Sequence, residues 1–303
     1  MNDSHTRRFD AAVASRGIRI VGQIQHPHGV KAVAAFMHLR EAFPHWAPDF
    51  WEASLRNAQW FDEPVVDGPM QAPRMPLNER RAEALLHRAV LPIAYQATRE
   101  WTRSAGTENV ISHYLAQAAA SPEYLGHRVS VLLAFLDAWP IYKDGPEAVL
   151  FLDRLTELIL ACKFSMPPPE VVPRWATYDE ALSASSRRPG FFGHHLIVLA
   201  WTRRFESLLE GSQRDSILAW IVECSRTQYE DDEDNVDVSQ VSDLSCDHVS
   251  LEYAIQRLLI AGKPNIHLIT LADALVALWN VAGNVERSRL LATARRYTLD
   301  NPI

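Results

Sequence analysis

The sequence predicts an all-α protein, a single-domain helical bundle that takes in residues 1–303. Apolar residues recur at spacings of three and four in almost every segment. No segment alternates apolar and polar residues as a strand does, and no repeat period is present. Hydrophobic residues make up 48% of the 303 residues, which is enough for one large core. We expect residues 1–20 to be partly disordered.

The first half of the chain is predicted to form helices over 30–42, 78–104, 109–119, 122–138 and 145–160. Asn78 starts the long second helix, because its side chain can cap the first turn and Glu79 follows it. Residues 43–76 are rich in Pro, Trp and Asp, so we expect an irregular segment with one short helix near 50–59.

The second half begins with prolines at 167–169 and 173, which predict an extended stretch because proline lacks an N–H and restricts the residue before it. Residues 183–190 are rich in Ser, Arg, Pro and Gly and are predicted to form a loop. Helices are then predicted over 192–209, 213–228, 248–261, 265–282 and 286–297.

Charge and cysteine usage exclude several classes of protein. The formal net charge is −7 and no basic stripe with interleaved aromatic residues is present, so we expect no nucleic-acid partner. Three cysteines without CxxC spacing argue against a disulfide framework or a structural zinc site, and they suit a reducing cytoplasm. No apolar run reaches the ~18 residues of a membrane span, and the first residues lack the apolar core of a signal peptide. We therefore expect a soluble cytoplasmic protein.

Common catalytic motifs are missing from the sequence. There is no Gly-rich phosphate loop, no HExxH and no GxSxG, and no pair of Glu-x-x-His motifs that would predict a di-iron bundle. The acidic run 230–234 is best interpreted as a solvated loop. Because Asp231-Asp232 lies outside an apolar helix, a terpene cyclase is disfavoured.

Histidines in apolar helices are the strongest functional candidates. His87 lies within the apolar run 85–91, where a buried imidazole needs a hydrogen-bond partner. His194 and His195 follow a loop rich in Gly and Pro and open another apolar helix. Burial keeps an imidazole neutral and its lone pair free for a metal. The two side chains project about 100° apart, so only one can point into a given pocket.

For other polar side chains the sequence leaves alternatives open. Arg128, beside His127 at the start of an apolar helix, is either a clamp for a carboxylate or a surface residue. His28 follows Pro27 in a loop that we expect to be exposed. His267 begins a helix, where it can cap or bind locally.

Three segments together suggest a family. The run 85–101 resembles the helix that carries the distal histidine in tryptophan 2,3-dioxygenases, and the run 124–133 is similar to the helix that supplies an arginine for the substrate carboxylate. Gly193-His194-His195 falls where the proximal haem histidine is expected. The chain resembles the haem-dependent aromatic oxygenase superfamily, and within it the bacterial haem-dependent L-tyrosine hydroxylases of natural-product pathways. The Gly/Thr-rich loop of tryptophan dioxygenases is absent, which disfavours ring cleavage.

The resemblance implies a helical bundle that encloses a haem b pocket. His195 would bind the iron, with His194 as the other candidate, and His87 would act as the catalytic residue over the open iron face. Arg128, with His127 beside it, would hold the carboxylate of a small aromatic amino acid. The implied reaction is hydroxylation of L-tyrosine to 3,4-dihydroxyphenylalanine with hydrogen peroxide, in a protein that forms a homodimer.

Two alternatives remain open at this point. One is a cofactor-independent helical oxidase of an aromatic polyketide, similar to the questin-oxidase-like proteins, which also carry scattered histidines in apolar helices. The other is a non-enzymatic helical interaction protein in which every histidine is structural.

Overall fold

The computed structural model describes residues 2–21, 28–123, 125–164, 174–232, 234–239 and 247–298, with side chains from residue 7 onwards. These residues form fourteen α-helices and no β-strand, which confirms the all-α prediction. The helices are α1 (Asn2–Arg19), α2 (His28–Ala42), α3 (Pro48–Asn57), α4 (Glu79–His87), α5 (Ile93–Ala105), α6 (Thr107–Ala120), α7 (His127–Tyr142), α8 (Ala148–Cys162), α9 (Tyr178–Arg187), α10 (His194–Arg204), α11 (Gly211–Arg226), α12 (His248–Ala261), α13 (His267–Trp279) and α14 (Asn284–Arg296). Within the described ranges, no helix combines the length and apolarity that a membrane crossing requires.

The chain divides into two compact units, each built from several stretches of sequence. Unit 1 consists of Met1–Ala34, Glu63–Glu123 and His127–Val171, and unit 2 consists of Ala35–Asp62, Tyr124–Gly126 and Val172–Ile303. The single-domain organisation stays a prediction.

Unit 1 is organised around α7, which is apolar on nearly every side and therefore buried. Helix α7 packs against α6 and α8, and α5 packs against α4, α6 and α8. The rings of Phe135 and Tyr142 lie with centroids 4.9 and 5.4 Å from that of Phe151 on α8. The Tyr142 hydroxyl donates a hydrogen bond to the Ala14 carbonyl of α1 at 2.9 Å.

Helix α1 takes the place of the partly disordered segment that we expected over residues 1–20. It buries Val13, Ala14 and Ile18, and it packs against α8. Its last residue, Arg19, and Val21 just after it are joined to the non-helical segment 63–78 by hydrogen bonds from the Val66 amide to Arg19 and from the Val21 amide to Pro64.

The segment 63–78, here called the strap, is also held by a buried ion pair. Arg99 on α5 donates to both carboxylate oxygens of Asp153 on α8, at 2.7 and 2.9 Å. The Met70 amide of the strap donates to the same carboxylate at 2.7 Å, and the Met70 carbonyl accepts from Arg99 at 2.8 Å. The Asp153 side chain is fully buried.

Unit 2 is built around α10, which packs against α9, α11 and α13. Helix α12 packs against α3, α13 and α14. Trp201 on α10 and Trp279 on α13 are completely buried. Arg204 at the end of α10 donates two hydrogen bonds to Asp273 on α13, at 2.8 and 3.0 Å, so an ion pair joins the two central helices.

Two predicted boundaries are wrong for identifiable reasons. The helix predicted over 78–104 does start at Asn78, whose side chain accepts from the Arg81 amide at 2.9 Å. It is nevertheless two helices, α4 and α5, because Pro92 has no N–H and restricts the residue before it. The loop predicted over 183–190 is helical up to Arg187, because Thr177 and Glu180 form a capping box that starts α9. The predicted extended stretch at 167–173 lies outside the described residues.

The ion pair that holds the strap gives a test of the fold. Asp153→Asn keeps the shape of the side chain and removes its charge, which leaves the Arg99 guanidinium without its counterion. We expect the free energy of unfolding to fall by about 3 kcal/mol, measured by urea denaturation. Arg103→Gln is the control, since Arg103 is 72% exposed in its pair with Glu100 and its loss should lower the free energy of unfolding far less. Equal losses in the two variants would contradict this account.

Candidate functional site

His87 is exposed and is the last residue of α4. The prediction that it is buried on the apolar face of a long helix is therefore wrong, because the helix ends at this residue. His87 lines a cavity of about 370 Å³ in unit 1, whose walls also include Leu86, Tyr114 and Phe164. Its catalytic role stays a prediction.

His195 is buried, with 2% of its surface exposed. Its Nδ1 lies 2.8 Å from the Arg188 carbonyl and 3.3 Å from the Ser225 hydroxyl. A carbonyl only accepts, so Nδ1 carries the proton and Nε2 carries the free lone pair. Burial lowers the pKa of His195, which keeps the ring neutral. This tautomer leaves Nε2 as the atom through which the ring could bind a metal ion.

The loop before α10 sets the direction of both adjacent histidines. Gly190 lies over the His195 ring with φ of +70°, and a Cβ there would come within 2.9 Å of the ring. Gly193 has φ of +74°, and a Cβ there would meet the Leu271 side chain at 2.4 Å. These positions require glycine. His194 turns towards His267 while His195 turns towards Arg188, in agreement with the expectation that the two point differently.

His194 and His267 form an imidazole pair in unit 2, with ring centroids 4.9 Å apart. His194 Nδ1 is hydrogen-bonded to the Phe191 carbonyl, and His267 Nδ1 lies 2.6 Å from the Asn265 side-chain oxygen. Both rings therefore carry the proton on Nδ1. The Phe192 ring lies 5.9 Å from His267, so the pair has an aromatic neighbour.

Arg128 is already paired by its own segment. Its Nε lies 3.6 Å from Glu123, and its guanidinium donates to the Ser121 carbonyl at 3.2 Å and stands over the Phe164 ring at 5.6 Å. A substrate carboxylate would have to compete with Glu123 for this guanidinium. The substrate-binding role of Arg128 stays a prediction.

A group of polar side chains in unit 1 that the sequence did not predict is here called the basic cluster: His28, Lys31, Glu123 and His127. His28 and Lys31 lie one turn apart on α2, and His127 begins α7. The rings of His28 and His127 have centroids 4.9 Å apart, and His127 Nδ1 lies 3.8 Å from Glu123. Both histidines are buried, so the prediction of an exposed loop at His28 is wrong.

Lys31 is the most unusual member of the basic cluster. It is 1% exposed, and among the described residues its Nζ has no hydrogen-bond partner. Burial lowers the pKa of this amine to about 7, and the nearby charge of Glu123 opposes the decrease. A larger fraction of the Lys31 amines is therefore neutral near pH 7 than in an exposed lysine, and a neutral amine can accept a proton or attack an electrophile.

The burial of Lys31 predicts how stability depends on pH. Between pH 7 and 10.5 the unfolded chain binds more protons than the folded protein, so the free energy of unfolding rises with pH by up to about 1.4 kcal/mol per unit. Lys31→Met removes this slope and should stabilise the protein at pH 7 by about 4 kcal/mol, measured by urea denaturation at several pH values. Lys143→Met, at an exposed lysine of unit 1, should leave the slope unchanged. A Lys31→Met protein that is less stable than the parent at pH 7 would refute the assignment.

Comparison of the chain with protein-family models, with curated proteins and with solved structures finds no match.

Proposed function

We propose that the chain is an enzyme that oxidises a phenolic aromatic compound, and that the basic cluster removes a proton from this substrate. The observation that carries the proposal is the Lys31 amine, which is buried, lacks a hydrogen-bond partner among the described residues and has a pKa of about 7. A protein gains no stability from such a group, and strongly shifted groups of this kind concentrate at functional sites.

The members of the basic cluster have distinct roles in this proposal. Lys31 accepts the proton from a hydroxyl or C–H group that is acidified by a conjugated carbonyl. The charge of Glu123 stabilises the ammonium ion that forms, as its influence on the pKa of Lys31 indicates. His28 and His127 lie close enough to each other to pass the proton onward.

Removal of the proton makes the substrate electron-rich, which is what an oxidase without a cofactor requires. Dioxygen is the oxidant in this proposal, and the balanced reaction is SH2 + O2 → S + H2O2. Two electrons and two protons leave the substrate and appear in hydrogen peroxide. This chemistry belongs to the cofactor-independent oxidase of aromatic polyketides that the sequence left open.

Dioxygen consumption with a panel of hydroxylated aromatic polyketides tests the proposal. Lys31→Met should lower kcat/KM by about 10²–10⁴-fold, the usual contribution of a general base. In the parent protein kcat/KM should rise with pH through about 7, because only the neutral amine accepts a proton. Lys143→Met should match the parent. Retained activity in the Lys31→Met protein would exclude Lys31 as the base.

A second candidate is the haem-dependent hydroxylation of L-tyrosine, and the tautomer of His195 favours it. His195 would hold the iron through Nε2 while the Arg188 carbonyl fixes the ring. Bound haem would supply the oxidising power for transfer of oxygen to the phenol ring. His87 is exposed, so in this candidate it would exchange protons with the solvent.

An absorbance spectrum after incubation with haemin tests the second candidate. A haem protein should show a Soret band near ~400 nm that His195→Ala removes. His45→Ala, at an exposed histidine of unit 2, should keep the band. No band in the parent protein would rule this candidate out. For both candidates we propose a reducing cytoplasm, where Cys162 and Cys224 remain the free thiols seen here.

A further inference from the structure

The cavity that His87 lines has apolar walls and a rim of polar groups. It has a volume of about 370 Å³ and is bordered by side chains of α4, α6 and the end of α8. Its apolar walls are Leu86, Ile159, Leu160 and Phe164. This combination of apolar walls with a few polar groups is typical of a small-molecule site. No member of the basic cluster lines this cavity.

The side chain of Tyr114 lines this cavity. Tyr114 is 3% exposed, and among the described residues its hydroxyl makes no hydrogen bond, although its ring contacts Trp101, His113 and Phe164. Burial and the charge of Glu83 raise the pKa of Tyr114, so the hydroxyl stays protonated. The hydroxyl therefore remains a donor that a bound molecule can satisfy.

A buried acceptor lies one turn further along α6. Gln117 is 5% exposed, and its amide oxygen has no hydrogen-bond partner among the described residues. An unpaired buried acceptor lowers stability, and a hydroxyl group of a ligand would satisfy it.

The charges at the rim favour an anionic ligand. Glu83, the one carboxylate among the residues known to line the cavity, lies 3.0 Å from His113 and is engaged there. Lys163 and His87 have no ion-pair or hydrogen-bond partner within the described part of the chain. The available groups of the rim are therefore donors, and a carboxylate is the group that an ammonium and an imidazole bind together.

We propose that this cavity binds a flat aromatic compound that carries both a carboxylate and a hydroxyl group. The ring lies against Leu86, Ile159 and Phe164, the carboxylate meets Lys163 and His87, and the hydroxyl exchanges hydrogen bonds with Tyr114 and Gln117. The proposal does not rest on the function of Lys31, so Lys31→Met should leave this binding intact.

Titration calorimetry with 6-hydroxy-2-naphthoate tests the proposed site. We expect saturable binding with one molecule per chain. The neutral 6-hydroxy-2-naphthamide and the deoxygenated 2-naphthoate should each bind about tenfold more weakly, because each lacks one of the two polar groups. Equal affinity for all three compounds, or no saturable binding, would overturn the proposal.

Substitutions locate the binding in this cavity. Lys163→Met should weaken binding of 6-hydroxy-2-naphthoate about tenfold but leave binding of the naphthamide unchanged. Tyr114→Phe should weaken binding about fivefold. Leu160→Trp, at a half-buried wall position, should abolish binding by filling the space. Lys143→Met is the matched control. Circular dichroism confirms that each variant is folded, and unchanged binding in a folded Leu160→Trp protein would overturn the assignment.

Discussion

The candidate site depends on one constraint, which is that a lysine amine lies where water cannot solvate its charge. Val30, Ala32 and Val33, its neighbours on α2, are fully buried, so this part of α2 lies in the core of unit 1. Burial therefore lowers the pKa of Lys31 below that of an ordinary lysine. A leucine or methionine would fill the same space at a lower free energy. Lys31 therefore lowers the stability of the folded protein at neutral pH relative to such an apolar residue.

In unit 2, Gly190 and Gly193, the two glycines before α10, determine the directions of His194 and His195. They allow the chain to turn sharply at Phe191–Gly193, so consecutive histidines enter the helix with different partners. Each ring is held by a backbone carbonyl, His195 by that of Arg188 and His194 by that of Phe191, and His194 also contacts the His267 ring on α13. Two imidazoles next to each other in the sequence thus have separate surroundings, and each is fixed in one tautomer.

The sequence predicts the class of fold well because helical periodicity is a local signal. Helix α12 has its predicted bounds, and Asn78 caps α4 as expected. The site is harder to predict, because burial depends on which helices pack together. The apolar residues around Lys31 in the sequence indicate that its charge could be buried. The periodicity of α2 does not show that Glu123 and His127 lie beside it. For His87 the apolar run 85–91 predicted burial, but α4 ends at this residue and leaves its side chain exposed.

The attachment of the strap has a consequence for local opening. Its central residue, Met70, gives both its amide and its carbonyl to the interior pair Arg99–Asp153. The amide hydrogen of Met70 can exchange with solvent only when its hydrogen bond to Asp153 breaks, so its exchange rate reports on the attachment of the strap to a buried side chain. The strap has no regular secondary structure, yet its middle should be protected from hydrogen exchange while its two ends open more often.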